Sequence, residues 1–389
     1  MYPFTIPDYR GGSIVNLMSS VIRSFGGGHE YSELSELPSS ELSRFRNTVL
    51  IVIDGLGANY LSKQNDSFLN SRLSSRLTSV FLSTTACANT VFSFGYPPQQ
   101  HGFTGWDMNL KETGAVTTIL PFIPRYEGES LEKSGFSLDM LDGIPAVYTK
   151  LKARSSVLIR QKIAHSPFSD YASRGADVVP VRNLRHGIKK ILPLIKQRTE
   201  KRKYLHLYIE EFDSAAHKHG VQSGEVRTVF EEIDREIRNL SVSLKNTGTA
   251  LLVTSDHGFI DVPEESIINS ESVPGFSECL TIPLSGDSRT RYCYVRPEKT
   301  KKFEDILNST LSGKLWWYRG SKLIRDYLYG LGEPHRNLYD RVGDYVLVMK
   351  ENFIIQDKLA NARADEKHRP GRHGGVSEDE MAVPLITIL

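Results

Sequence analysis

The sequence predicts an α/β protein: a mostly parallel central sheet flanked by helices, with a smaller α+β lobe inserted late in the chain. Three observations predict it. Apolar runs of strand length recur without alternation, several lead straight into loops bearing Asp or His, and the clearest amphipathic helix lies between two of them. Continuous apolarity marks a strand covered on both faces, the environment of a parallel sheet between helix layers.

Taken in order, the first run is Asn47–Asp54, NTVLIVID, followed by GLG. YLHLYI at Tyr204–Ile209, ALLVT at Ala250–Thr254, YVLVM at Tyr345–Met349 and VPLITIL at Val383–Leu389 complete the set. Between the second and third, Val226, Val229, Phe230, Ile233, Ile237, Leu240 and Leu244 recur at three- and four-residue steps, with Glu231, Glu232, Asp234, Arg235 and Arg238 opposite. That is a crossover helix, stopped near Gly248. Gly26–Ser43 reads as loop with a short helix, and residues 110–200 mix the Pro-rich LPFIPRY with further helix and strand fragments. RTRYCYVRP alternates like a strand, and KLWWYRGSKLIRDYLYG reads as an aromatic, basic helix. The expected organisation is a catalytic core of residues 1–261 and 343–389, closed by the Tyr345 strand, and an inserted lobe of residues 262–342. Trp316, Trp317, Tyr318 and Arg319 are expected in that lobe's own small core.

Composition narrows the function. The 389 residues carry 48 basic and 46 acidic side chains, a net charge of +2, which gives no electrostatic footprint for nucleic acid. Three cysteines (Cys87, Cys279, Cys293) without a CxxC pair exclude a disulfide framework and a thiolate zinc ribbon. No signal-peptide pattern and no run of eighteen apolar residues occurs, so a soluble, cytoplasmic protein is expected, with no membrane partner.

The chemistry resides in Asp and His residues placed mostly after strands. Asp54 follows the first; Asp213 and His217 stand in DSAAHKHG after the second; Asp256 and His257 stand in SDHG after the third; His373 stands in RHGG before the last. Parallel strands bring their carboxyl ends to one sheet edge, where ligands collect. Carboxylate and imidazole donors without thiolate suit Zn²⁺, Mn²⁺ or Fe²⁺ in a site with open positions. A hydroxyl run, LSTTACANTVFSFGYPPQQHGFTGW, supplies Ser83, Thr84 and Thr85 before small residues, a pattern for a helix N-terminus that binds an anion. Taken singly, an Asp after a strand or a Thr before a helix is an ordinary cap.

The ordered set VIDGLG, STTA…GYPPQQHG, DSAAHKHG, SDHG and RHGG, from about residue 48 to 389, resembles the type I phosphodiesterase/nucleotide pyrophosphatase branch of the alkaline phosphatase superfamily. The resemblance implies an alkaline-phosphatase-like fold and two divalent ions, usually Zn²⁺. It makes Thr85, ten residues before Gly95, the nucleophile that becomes a covalent phospho-threonine. Asp213, His217 and His373 would hold one ion; Asp54, Thr85, Asp256 and His257 the other. The family Asn that contacts a phosphate oxygen falls near Trp106 here; Asp107, Asn109 or a backbone amide would take its place, while Trp106 would stack on a base, wall off the pocket or pack in the core, so Trp106 and Asn109 are the candidate substrate contacts. A small phosphodiester or nucleotide is the expected substrate, because two divalent ions, three Asp and a Thr85 alkoxide sum to zero charge and admit a monoanion. No Arg or Lys lies between Thr85 and Lys111 to favour a phosphomonoester dianion. The alternatives are a phosphomonoesterase or phosphonate hydrolase on the same scaffold, or an inactive phosphate-ligand-binding relative. A sulfatase is excluded, since CANTV lacks the Pro and Arg of a CxPxR string.

Overall fold

The computed structural model describes residues 2–126, 128–141, 143–358 and 369–389. Its main sheet has seven strands in the order 73–78, 382–388, 249–254, 47–53, 202–209, 153–160 and 177–181. The strand pairs from 249–254 through 177–181 are parallel. Ala382–Ile388 is the exception: it runs antiparallel between Leu73–Thr78 and Thr249–Thr254. The apolar runs read as strands at 47, 204, 250 and 383 all lie in this sheet.

Both faces are covered, which explains the continuous apolarity. Along Asn47–Ile53, Val49, Ile51 and Ile53 pack with the helices Leu184–Lys196 and Gly224–Ser243. Leu50 and Val52 face a second layer containing the helices Ile14–Ser24 and Thr85–Phe94. The Gly224–Ser243 helix is the crossover expected from its periodicity; Ser223 caps it, its side chain accepting from Val226 N.

A second, antiparallel sheet runs 315–319, 345–349, 290–293, 285–287, 107–110, 115–118 and 123–124. Here two expectations are corrected. Tyr345–Met349 lies in this sheet rather than closing the main one. It reads as a buried strand because Tyr345, Leu347 and Met349 pack on the Thr300–Ser309 side while Val346 and Val348 face the large core. A strand covered on both faces looks the same in either sheet. Leu315–Arg319, read as the start of a helix, is a strand; only Gly320–Arg325 is helical. Residues 107–124 add three strands, so this sheet draws on chain from both sides of the 262–342 segment. Trp316 meets Phe4, and Trp317 meets Tyr345 with its Nε1 on Asn308, away from the cavity described below.

No helix among the described residues is long and apolar enough to cross a membrane.

Candidate metal centre and active site

Register delivers the site. Ile53 is aligned with Ile209, and Val52 with Thr254, so three parallel strands end at the same edge. Asp54 follows directly, Asp256 and His257 lie two and three residues past Thr254, and Asp213 and His217 sit one turn apart on the helix Glu211–His219. Gly55 permits the turn: it has φ +80°, and a Cβ there would meet Phe259 at 2.4 Å. His373 arrives on the segment before the last strand. Gly371 holds that segment close, with room for no Cβ within 2.2 Å of Ala216 O, and its own carbonyl accepts from His217 Nδ1 at 2.9 Å.

The candidate residues converge. Thr85 opens the helix Thr85–Phe94, is 7% exposed, and places Oγ1 3.1 Å from His257 Nε2. His257 Nε2 is 3.3 Å from Asp54 Oδ1 and 3.6 Å from Asp256 Oδ2. His217 Nε2 is 3.1 Å from His373 Nε2 and 3.4 Å from Asp213 Oδ1. The His257 and His373 rings stack at 3.8 Å. Two sets of potential ligand atoms each fall within 4.8 Å, Asp213–His257–His373 and Asp54–Asp256–His257, so His257 stands between them.

The donor set fits metal ions on three counts. Asp54 Oδ1, Asp213 Oδ1 and Asp256 Oδ2 are buried with no hydrogen-bond partner among the described residues, a costly arrangement unless something else satisfies them. Each histidine also has its Nδ1 at a backbone carbonyl: His217 at Gly371, His257 at Gly258 (3.1 Å) and His373 at Ser83 (3.4 Å). That fixes the proton on Nδ1 and leaves Nε2 bare, the usual disposition of a ligating imidazole. Two bare Nε2 lone pairs facing at 3.1 Å repel unless a cation lies against both.

Electrostatics agree. Burial pushes the Asp54 carboxyl well up, and Asp213 and Asp256 push it further. Asp213 is raised by burial and then by Asp256. Burial drives His217 down to about 3, with Arg369 adding to it, and drives His373 well down, with His257 and His217 adding. A divalent cation supplies the positive charge that these carboxylates lack and that these imidazoles resist carrying.

Around this centre is a cavity of ≈ 710 Å³. Trp106 lines it, beside Asp107, whereas Asn109 does not; it lies about 7 Å farther along the strand, hydrogen-bonded to Tyr294. His101 shapes its turn, with Nδ1 accepting from Phe103 N. Several lining groups escaped the sequence reading. Tyr208 donates to Asp54 Oδ2, and Asp287 Oδ2 accepts from Thr84 Oγ1 at 2.9 Å. Tyr208 was visible in principle as a polar tip, like His206, near the end of a largely apolar run. Lys162, Arg291 and Arg369 also line the cavity, brought there by remote segments outside the motifs, together with Arg372 of the RHGG string.

Comparisons with known proteins bear on the fold and family. Murine ectonucleotide pyrophosphatase/phosphodiesterase 5 is similar in structure, with 18% identity, 87% of each chain covered and a TM-score of 0.64. An inactive threonine-to-alanine variant of that protein has been solved with AMP, at a TM-score of 0.63, 18% identity and the same coverage. Phosphonoacetate hydrolase from Sinorhizobium meliloti, solved with phosphonoformate, matches at 18% identity over 89% of this chain and 90% of its own, with a TM-score of 0.60. No curated protein sequence matches. The family model for type I phosphodiesterase / nucleotide pyrophosphatase matches residues 48–376, and this chain, with an alkaline-phosphatase-like fold, belongs to that family.

Proposed function

We propose that this chain is a metal-dependent phosphodiesterase or nucleotide pyrophosphatase that works through a phospho-Thr85 intermediate. The observation that carries it is Thr85 itself: a buried hydroxyl at a helix N-terminus, 3.1 Å from His257 Nε2 and facing three carboxylates with unpartnered oxygens. Asp213, His217 and His373 would hold one ion, and Asp54, Thr85, Asp256 and His257 the other. Two bound divalent ions, Zn²⁺ on this donor set, lower the pKa of the attacking hydroxyl and neutralise charge on the leaving oxygen. Thr85 Oγ1, its proton released to solvent, attacks phosphorus in line; the bond to the leaving oxygen breaks as the Thr85–phosphorus bond forms, and the departing alkoxide takes a proton from water. Backbone N–H groups at the start of the Thr85–Phe94 helix receive the non-bridging oxygens. Water then hydrolyses the phospho-threonine and returns the hydroxyl. Tyr208 keeps Asp54 oriented through its hydrogen bond to Oδ2. The relative solved with AMP as an inactive threonine-to-alanine variant supports the reading by analogy.

A second reading, hydrolysis of a phosphomonoester or phosphonate, draws on the cations Lys162, Arg291, Arg369 and Arg372 along the cavity, of which Lys162 lies 2.9 Å from Glu210 and Arg291 3.9 Å from Asp107. One paired assay separates them. Bis-p-nitrophenyl phosphate should be hydrolysed well above p-nitrophenyl phosphate by Zn²⁺- or Mn²⁺-loaded protein, and Thr85→Ala should abolish turnover while retaining fold. Preference for the monoester supports the second reading; full activity in Thr85→Ala removes the nucleophile assignment.

A further inference from the structure

The cavity does not end at the metal centre. Thr85, Asn89 and Ser93 occupy positions i, i+4 and i+8 of one helix, and all three line it. At 1.5 Å per residue, this stripe reaches ~12 Å inward from the nucleophile. The facing wall repeats the geometry on the strand Arg202–Ile209. Tyr208, which bonds Asp54, marks the metal end, and His206 lies two residues, ~7 Å, deeper on the same face. Val157, paired with His206 in the sheet, and Tyr148 complete the inner wall.

This inner pocket is polar without being charged. The Tyr148 hydroxyl lies 2.8 Å from His206 Nδ1, and Ser93 hydrogen-bonds to Tyr148 in turn. His206 is 3% exposed, yet its Nε2 has no partner among the described residues; Asn89 Oδ1 is likewise buried and unpartnered among them. Leaving buried polar atoms unsatisfied is destabilising, so two of them lining one cavity point to an occupant that satisfies them. Burial holds the His206 imidazole down to about 4, so it stays neutral and can pair with a hydroxyl or an amide but adds no attraction for an anion.

We propose that this pocket binds one ester substituent of the phosphodiester, a neutral group rich in hydroxyl or amide functions, with Asn89 and His206 as specificity-determining residues. The proposal rests on the phosphodiesterase reading above and narrows its substrate class. A plain hydrocarbon chain would leave both Asn89 Oδ1 and His206 Nε2 unpaired and is selected against. Two sources share the required chemistry, a nucleoside and a small polyol.

The test compares kcat/KM on three p-nitrophenyl diesters, those of thymidine 5′-phosphate, glycerol phosphate and p-nitrophenyl phosphate, in wild type, Asn89→Leu and His206→Phe. Wild type should favour one of the first two over bis-p-nitrophenyl phosphate; which one assigns the source. Each variant should lower that preference at least tenfold. Asn89→Leu, on a helix face directed at the cavity, guards against a folding defect in His206→Phe, and far-ultraviolet circular dichroism checks both. A preference unchanged within twofold in both variants overturns the proposal, whatever the overall rate. If wild type hydrolyses none of the three, the phosphodiesterase reading fails instead. Calorimetric titration of metal-loaded protein with thymidine and with glycerol then decides the pocket: binding lost in Asn89→Leu supports it, and no binding overturns it.

Discussion

Glu380 is the least exposed carboxylate near the site that is not itself a candidate ligand. It is 0% exposed, and its partner Arg289 is 1% exposed. Its two oxygens accept Arg289 Nε and Nη2 at 3.0 Å each, Gly375 N at 2.8 Å, Ser377 Oγ at 2.7 Å and Ser377 N at 3.3 Å. The Gly375 bond clamps the backbone two residues beyond His373. Burial pushes the Glu380 carboxyl up, but Arg289 and the hydrogen bonds outweigh it and hold it below its ordinary 4.5. Its contribution is therefore present above pH ~4.5 and lost as pH falls through the depressed folded value. Glu380→Gln keeps the shape, strands the Arg289 charge and turns an NH₂ toward donors. Breaking one side of such a buried pair costs about 3–5 kcal/mol. With unfolding entropy of ~2.1 cal/mol/K per residue, 389 residues give ~0.8 kcal/mol/K, so Tm should fall by about 4–6 °C. Differential scanning calorimetry at pH 7 measures it, and diester kcat/KM should fall as well, because His373 loses its anchor. Arg289→Met combined with Glu380→Leu should recover most of the loss. A drop under 1 °C in Glu380→Gln, or a double variant no better than the single, would refute the reasoning.

Other outcomes follow from the same geometry. Asp256→Ala and His373→Ala should each lose about one metal ion per chain by inductively coupled plasma analysis; two ions retained in both would reject the ligand assignment. Chelation should destabilise the protein: metal at 100 times its Kd adds about 2.7 kcal/mol, so Tm should drop about 3 °C with chelator and return on adding Zn²⁺. His29 donates from Nε2 to Gly95 O, accepts from Tyr31 N, and is held by burial down to about 4 against an ordinary 6.5. Its contribution is complete above pH 6.5 and declines as pH falls toward 4, on the order of 2 kcal/mol after solvent screening. Urea unfolding of His29→Gln should show a shallower decline across that window than wild type, and an identical slope would exclude His29 as a cause.

The metal-centre candidates were legible because their geometry is set by topology. Once Asn47–Ile53, Tyr204–Ile209 and Ala250–Thr254 are read as parallel strands, the residues after them must share an edge, however far apart they lie in sequence. Sheet membership was harder. Tyr345–Met349 carries the signature of a strand buried on both faces, and that signature does not name the sheet. The direction of Ala382–Ile388 was equally silent, since apolar pattern is the same read either way along a strand. The remainder of the cavity depends on long-range packing. His206 reads as one polar interruption in YLHLYI until the helix bearing Asn89 is laid opposite it. The cations that the Thr85–Lys111 stretch lacks arrive as Lys162, Arg291, Arg369 and Arg372, from segments whose meeting only the folded chain reveals.

The late, antiparallel strand Ala382–Ile388 has a consequence for biosynthesis. It is wedged between Leu73–Thr78 and Thr249–Thr254, and the segment feeding it carries His373. A growing polypeptide on the ribosome can assemble the neighbouring strands and present Asp54, Asp213 and Asp256 at their edge. The edge strand Leu73–Thr78 nevertheless has no partner in that sheet until residues 382–388 emerge, and the His373 imidazole is missing until the segment just before them does. A chain cut before residue 382 would therefore carry a split sheet, and one cut before residue 373 would also lack one of the candidate ligands.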